Sequence, residues 1–258
     1  MSRALGTLWR VRDALPPSAR QALRRATDPV LAPVGSVAGI HPSGPDAAPV
    51  GLTFDDGPDP DVTPAVLDVL AAAGVRATFF VLTDRAARHP ELVHRAVGEG
   101  HEVGLHGPDH RRLTTRPAAE VRRDLAEARA RLEDLTGQPV RWFRPPFGAQ
   151  NVATYVAARR AGLAPVVWTA EGEDWVDQAP ATVADRVVTR LRPGGIVLLH
   201  DGLAGDPRSP ASPDPLRAVR HEVVRRTLGR LADLELRPVT VGELLAAGRP
   251  HRTAWFRP

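Results

Sequence analysis

From residue 49 onward the chain alternates short apolar, β-branched or aromatic runs with longer stretches of helical spacing, and this rhythm limits the possible folds most. Runs at 50–54, 77–82, 101–105, 141–143, 164–169, 196–200 and 237–241 read as strands. The stretches 64–73, 88–99, 117–135, 152–161, 182–191 and 215–231 read as helices, several of them stopped by Gly100, Gly137, Gly162 or Pro193-Gly194-Gly195. The helix over 117–135 shows the pattern well: Pro sits in its first turn, and Val121, Leu125, Ala128, Leu132 and Leu135 recur on one face. Strands that alternate with helices are joined by right-handed crossovers and lie parallel. No glycine-rich phosphate loop follows the first strand, so the pattern favours a distorted α/β barrel, a (β/α) barrel of seven to eight parallel strands, over an open doubly wound sheet. In either topology the reactive side chains collect at the carboxyl ends of the strands.

Composition narrows the chemistry. Of 258 residues 43% are hydrophobic, enough for one domain with a real core, and the absence of cysteine excludes disulfides, thiol nucleophiles and thiolate metal sites. A metal must therefore be held by His, Asp or Glu. All 34 basic residues are Arg and they interleave with 30 acidic ones, which reads as solvated helix faces and excludes a nucleic-acid partner. No run of apolar residues is long enough for a transmembrane segment. Residues 1–48 read as an N-terminal extension, partly helical, ahead of a catalytic domain over 49–258. Leu5, Leu8, Trp9, Val11 and Leu15 fit a short amphipathic helix, read here as packed on the domain, with weak membrane-surface contact as the alternative. The N-terminal residues lack the uninterrupted apolar stretch of a secretory signal, which predicts a cytoplasmic protein, peripheral to the membrane if that helix binds it.

The strand ends carry the chemistry. The first strand runs into Asp55-Asp56-Gly57-Pro58, where two adjacent carboxylates repel unless a cation relieves them, although Asp-Gly-Pro is also ordinary turn chemistry. The third ends in His106-Gly-Pro-Asp-His110, whose i, i+4 histidines share one face of a helical turn and reach a single ion; two unrelated surface histidines would give the same spacing. The fourth exits through Arg144-Pro-Pro-Phe147-Gly148, where the prolines remove donors and leave the Phe147 N–H as a directed amide. Glu171-Gly-Glu-Asp174-Trp175 sets an acidic cluster beside an aromatic, and 196–200 delivers His200 at the end of an otherwise apolar strand. Such a histidine is often a packed core group, but five reactive clusters at five successive strand ends argue for a site.

Taken in order, TFDDG (53–57), HxxxH (106–110), RPPFG (144–148), ExxDW (171–175) and LLH (198–200) resemble the five motifs of the polysaccharide deacetylases, the NodB-homology domain of carbohydrate esterase family 4, over about residues 49–242. The resemblance implies a distorted (β/α) barrel. It also implies a hydrolase that removes N-acetyl, or N-formyl, groups from an amino-sugar saccharide or glycoconjugate. Asp55 would be the general base, held by Arg144, and Asp56, His106 and His110 would bind one divalent metal, zinc first and cobalt second. Phe147 would offer its N–H to the oxyanion, His200 would be the general acid tuned by Asp174, and Trp175 and Leu198 would wall the acetyl pocket. Three positions depart from the family pattern: Gly107 for Ser or Thr, which removes a loop hydrogen bond, Phe147 for Tyr, and Glu171 for Asp. An amidase for non-sugar or cyclic amides and an inert carbohydrate-binding relative are the other readings of the same scaffold.

Overall fold

In the strands of this chain period-two apolar runs face two different cores, one under the helices and one inside the curl of the sheet. The computed structural model describes residues 35–43, 48–205 and 214–255. The helix expected around residues 5–15, and its membrane contact, lie outside them.

The central sheet holds β2 (Pro49–Asp55), β3 (Thr78–Leu82), β4 (Glu102–Gly107), β5 (Trp142–Phe143), β6 (Ala164–Pro165), β7 (Ala170–Glu171), β8 (Ile196–His200) and β9 (Arg237–Val239). Their order is β6-β5-β4-β3-β2-β8-β7, with β9 on the first half of β2, and every pairing is parallel. The helices α1 (Thr63–Ala73), α2 (Thr83–Arg88), α3 (Pro90–Gly98), α4 (Ala118–Thr136), α5 (Val152–Arg160), α6 (Pro180–Arg190), α7 (Arg220–Asp233) and α8 (Val241–Ala246) connect them. The result is the expected distorted α/β barrel.

One core lies between sheet and helices: Leu52, Phe54, Phe79, Val81, Leu105, Val197 and Leu199 pack against Val66, Leu70, Leu125, Leu132, Val223 and Leu231. The alternate residues Phe80 and Ile196 turn into the curl, where they meet Val166, Val239, Val241 and Leu244. Both faces of the sheet are covered, as a parallel sheet requires.

Residues 36–42, within the segment read as an N-terminal extension, form a strand. Ser36–Pro42 forms β1, antiparallel to β10 (Gly248–Thr253) with one bulge between Val37 and Gly39. Val37 and Ile40 belong to the inner core, and single bridges tie Val37 to Val166 and Gly39 to Gly195. This ribbon covers the gap between the sheet edges, where unpaired backbone groups would otherwise be exposed. Its strands are separated by about two hundred residues in the chain, so no local periodicity announces them.

Other differences are local. The strand expected over 164–169 divides into β6 and β7 because the Val167 N–H bonds the Val37 carbonyl of β1, while the Val166 N–H still bonds Phe143 of β5. Helix α4 runs one residue past the expected 135, to Thr136, and Gly137, at φ 65°, closes it as expected.

Candidate active site

Register on the sheet positions the two proton-handling groups. Asp55 on β2 lies directly opposite His200 on β8, and Thr53 opposite Leu198, so these side chains line one face at the carboxyl end. Leu198, expected to wall the acetyl pocket, is buried on that face.

Consecutive residues in a strand point to opposite faces. Asp55 and Asp56 nonetheless share a site because Asp56 leaves the extended conformation, at φ 74°. Its Oδ1 stands 3.2 Å from His106 Nε2 and 3.3 Å from His110 Nε2. The other oxygen, Oδ2, accepts the Ala204 N–H at 2.8 Å. His106 Nδ1 lies 2.8 Å from the Arg144 carbonyl and His110 Nδ1 3.3 Å from that of Gly205, so each ring donates through Nδ1 and turns a lone pair on Nε2 inward.

All three are buried, their ligand atoms lie within 4.8 Å of one another, and Asp56 Oδ1 has no hydrogen-bond donor among the described residues. A buried carboxylate oxygen facing two imidazole lone pairs is electrostatically unstable without a cation, so the donor set fits a divalent metal. Burial pushes the Asp56 carboxyl up, yet its contacts with the surrounding histidines, His106 first, outweigh it and hold the group well below the usual carboxylate range. Burial pushes His110 down to about 4, which keeps it neutral and able to ligate at physiological pH.

The helical turn expected over 106–110 does not form. His106 is on β4, Gly107 takes φ 113°, and His110 arrives on a bend. The glycine explains one departure from the family pattern, since a side chain is strained at that angle and its Cβ would lie 3.1 Å from the Asp109 carbonyl. Asp84 N–H to the Pro108 carbonyl (3.0 Å) and Arg111 N–H to Asp109 Oδ1 (3.2 Å) hold this loop instead.

Arg144 is wholly buried and donates from Nη1 to Asp55 Oδ1 at 2.7 Å and to Thr53 Oγ1 at 2.8 Å. Its guanidinium lies over the Phe80 ring at 4.2 Å. Asp55 Oδ2 thereby faces the metal ligands, 3.9 Å from His106 Nε2. Phe147 has φ 60°, and its N–H meets no acceptor among the described residues. Its half-exposed ring leans on His110 with centroids 4.1 Å apart. On the opposite flank His200 Nδ1 lies 2.7 Å from Asp174 Oδ1, and the exposed Trp175 meets the imidazole edge-on. Burial would lower the His200 pKa, but Asp174, Asp56 and Asp55 together raise it to about 9. Every site residue expected from the motifs is therefore in one cluster.

The sequence of known proteins matches accordingly. The model of the family described as polysaccharide deacetylase matches residues 43–166. A chitooligosaccharide deacetylase of Sinorhizobium fredii is 41% identical over 165 residues, 64% of this chain and 77% of the relative. The chain belongs to the polysaccharide deacetylase family. Among solved structures, a family 4 carbohydrate esterase from Streptomyces lividans in complex with acetate superposes with TM-score 0.67 at 26% identity, covering 81% of this chain and 98% of that one. A pseudoenzyme of the same family from Bacillus anthracis superposes with TM-score 0.69 at 26% identity, covering 83% and 71%.

Two residues of this polysaccharide deacetylase escaped the motifs. Arg85 donates to the Asp56 carbonyl and to the Leu203 carbonyl, both at 3.1 Å, and so fixes a metal ligand and the loop after β8 together. Arg220 bonds Asp174 at 2.9 Å from α7. The available signal for Arg220 was its place on the apolar face shared by Val223, Val224, Thr227 and Leu231; for Arg85 there was none. The third departure, Glu171, accepts the Trp168 indole N–H at 2.6 Å.

Proposed function

We propose that this protein hydrolyses the N-acetyl group of an amino-sugar saccharide, releasing acetate and a free amine. The observation that carries the reading is the direct cross-strand pairing of Asp55 with His200 beside the Asp56, His106 and His110 cluster. A base with its own guanidinium, an acid with its own carboxylate and a metal triad between them form a complete hydrolytic set, which favours an enzyme over an inert relative.

A divalent metal held by Asp56, His106 and His110 would polarise the acetyl carbonyl and make water more acidic. Two imidazoles and one carboxylate suit zinc, with cobalt a competitor for such a donor set. The remaining steps belong to the protein. Arg144 occupies Asp55 Oδ1, so Oδ2 takes the proton of the attacking water as its oxygen bonds to the acetyl carbon. The Phe147 N–H, turned out of its chain by a left-handed backbone, donates to the oxyanion that develops. His200 Nδ1 is engaged by Asp174, which leaves Nε2 as the nitrogen that delivers a proton to the departing amine as the C–N bond breaks. Leu198 excludes water from the methyl side, and the exposed Trp175 and Phe147 offer aromatic faces to the sugar.

The test is metal content together with acetate and formate release from N-acylated glucosamine oligomers of several lengths, alongside simple non-sugar amides. One equivalent of metal, chelator-sensitive acetate release from the oligomers and a loss of about 10²–10⁴ in kcat for Asp55→Asn are expected. A metal-loaded protein that cleaves only the non-sugar amides, or full activity in Asp55→Asn, defeats the reading.

A further inference from the structure

The general acid is part of a longer line of buried charge. Asp174 Oδ1 takes His200 Nδ1 at 2.7 Å, while Oδ2 accepts the His200 backbone N–H and Arg220 Nη1, each at 2.9 Å. Arg220 is 1% exposed, and its Nε and Nη2 reach the two oxygens of Asp214, both at 2.8 Å. The charges alternate: Asp214, Arg220, Asp174, His200.

Placing a guanidinium on the apolar face of α7 requires stripping it of water, and ion pairing in return adds little over a packed aliphatic side chain. Packing alone does not call for an Arg here. Its contact with the carboxylate of the acid dyad does. A buried carboxylate devoted to one imidazolium stabilises the charged form and makes it reluctant to lose its proton. A second cation on the same carboxylate draws off part of that field.

We propose that Arg220 is a positioning residue for the general acid: it shares Asp174 with His200, fixes the carboxylate from behind, and keeps the imidazolium able to release its proton to the leaving amine. This rests on His200 being the proton donor. Asp55 and Asp56 at the end of β2 and His110 after β4 also face the imidazole electrostatically. They are unchanged in the variants below, so any difference reports on Arg220.

Two variants remove the charge while sparing the fold in different ways. Arg220→Gln keeps a hydrogen-bond donor toward Asp174. The double variant Arg220→Met with Asp214→Asn leaves no buried anion alone. In zinc-loaded protein the ring nitrogens of His200, followed by NMR against pH, should titrate about one pH unit higher in both variants than in the wild type. With the proton about half transferred in the transition state, kcat at neutral pH should fall about threefold while KM holds. Titration midpoints equal to the wild type in both variants overturn the proposal and leave Arg220 a packing residue. The ring titration needs no turnover, so it judges Arg220 separately from the acetate-release assay, which judges the reaction.

Discussion

Asp56 and Phe147 are non-glycine residues at positive φ, 74° and 60°, a conformation that costs of order 1–3 kcal/mol and persists only where surrounding contacts impose it. Each serves one atom: Asp56 Oδ1 is turned to the two histidines, and the Phe147 N–H is left without an acceptor among the described residues. His200 is the residue whose titration matters most. Burial opposes its charge, and Asp174 with the carboxylates of β2 overrides burial, to a pKa of about 9. Because the folded value lies above the ordinary 6.5, the imidazolium contributes stability that is complete below about pH 6.5 and is lost as pH rises to about 9. At ~1.4 kcal/mol per pH unit, the difference amounts to about 3 kcal/mol. Asp174→Asn should flatten that loss in urea denaturation curves of metal-free protein at pH 6 and pH 10. The same variant should draw the alkaline limb of the rate profile down toward the ordinary histidine range. An alkaline limb that stays in place would show that another group supplies the proton.

At the scale of elements, the loop leaving β8 is the second coordination layer of the metal triad. Ala204 supplies the N–H on Asp56, Gly205 the carbonyl on His110, and Arg85 from α2 holds Leu203 and Asp56 together. Arg85→Ala should therefore weaken metal binding about 10–100-fold, measured by competition against a chromophoric chelator, with most of the activity returning in excess metal. The loop after β4 works differently. Gly107 bends it where a helical turn would have been the simplest way to bring two histidines together, and Gly107→Thr should cost about 1–2 kcal/mol in thermal unfolding because its φ of 113° disfavours any side chain. The helix expected over 215–231 begins only at Arg220, after a short 3-10 turn over Arg217–Val219, and Arg220 stands on its buried face with Val223, Val224 and Leu231.

Across the whole molecule, the site sits where parallel strands end, and the far side of the curl is sealed by the β1–β10 ribbon. Ile40 and Val37 reach from that ribbon to Phe80, Ile196 and Val166, and Phe80 carries the guanidinium that orients the base. The seal and the chemistry are thus connected through one layer of side chains. Ile40→Ala should destabilise the fold by about 2–4 kcal/mol in denaturant titration, while kcat measured well below the transition stays near the wild type, since no reacting group moves.

The sequence alone determined the strand–helix order, the parallel sheet, and the ten side chains and amides that assemble at its carboxyl end. Those are local properties: apolar spacing reports which way a segment faces, and a motif at a strand's end is placed by the strand. Only the tertiary structure decided which strands seal the barrel, how Asp56 and His110 reach one point, and that Arg220 stands behind Asp174. Arg220 lies 46 positions from Asp174, Arg85 lies 118 from Leu203, and Ser36 pairs with Thr253. Partners so far apart share no periodicity, and an arginine looks the same in a list of residues whether it meets water or a buried carboxylate.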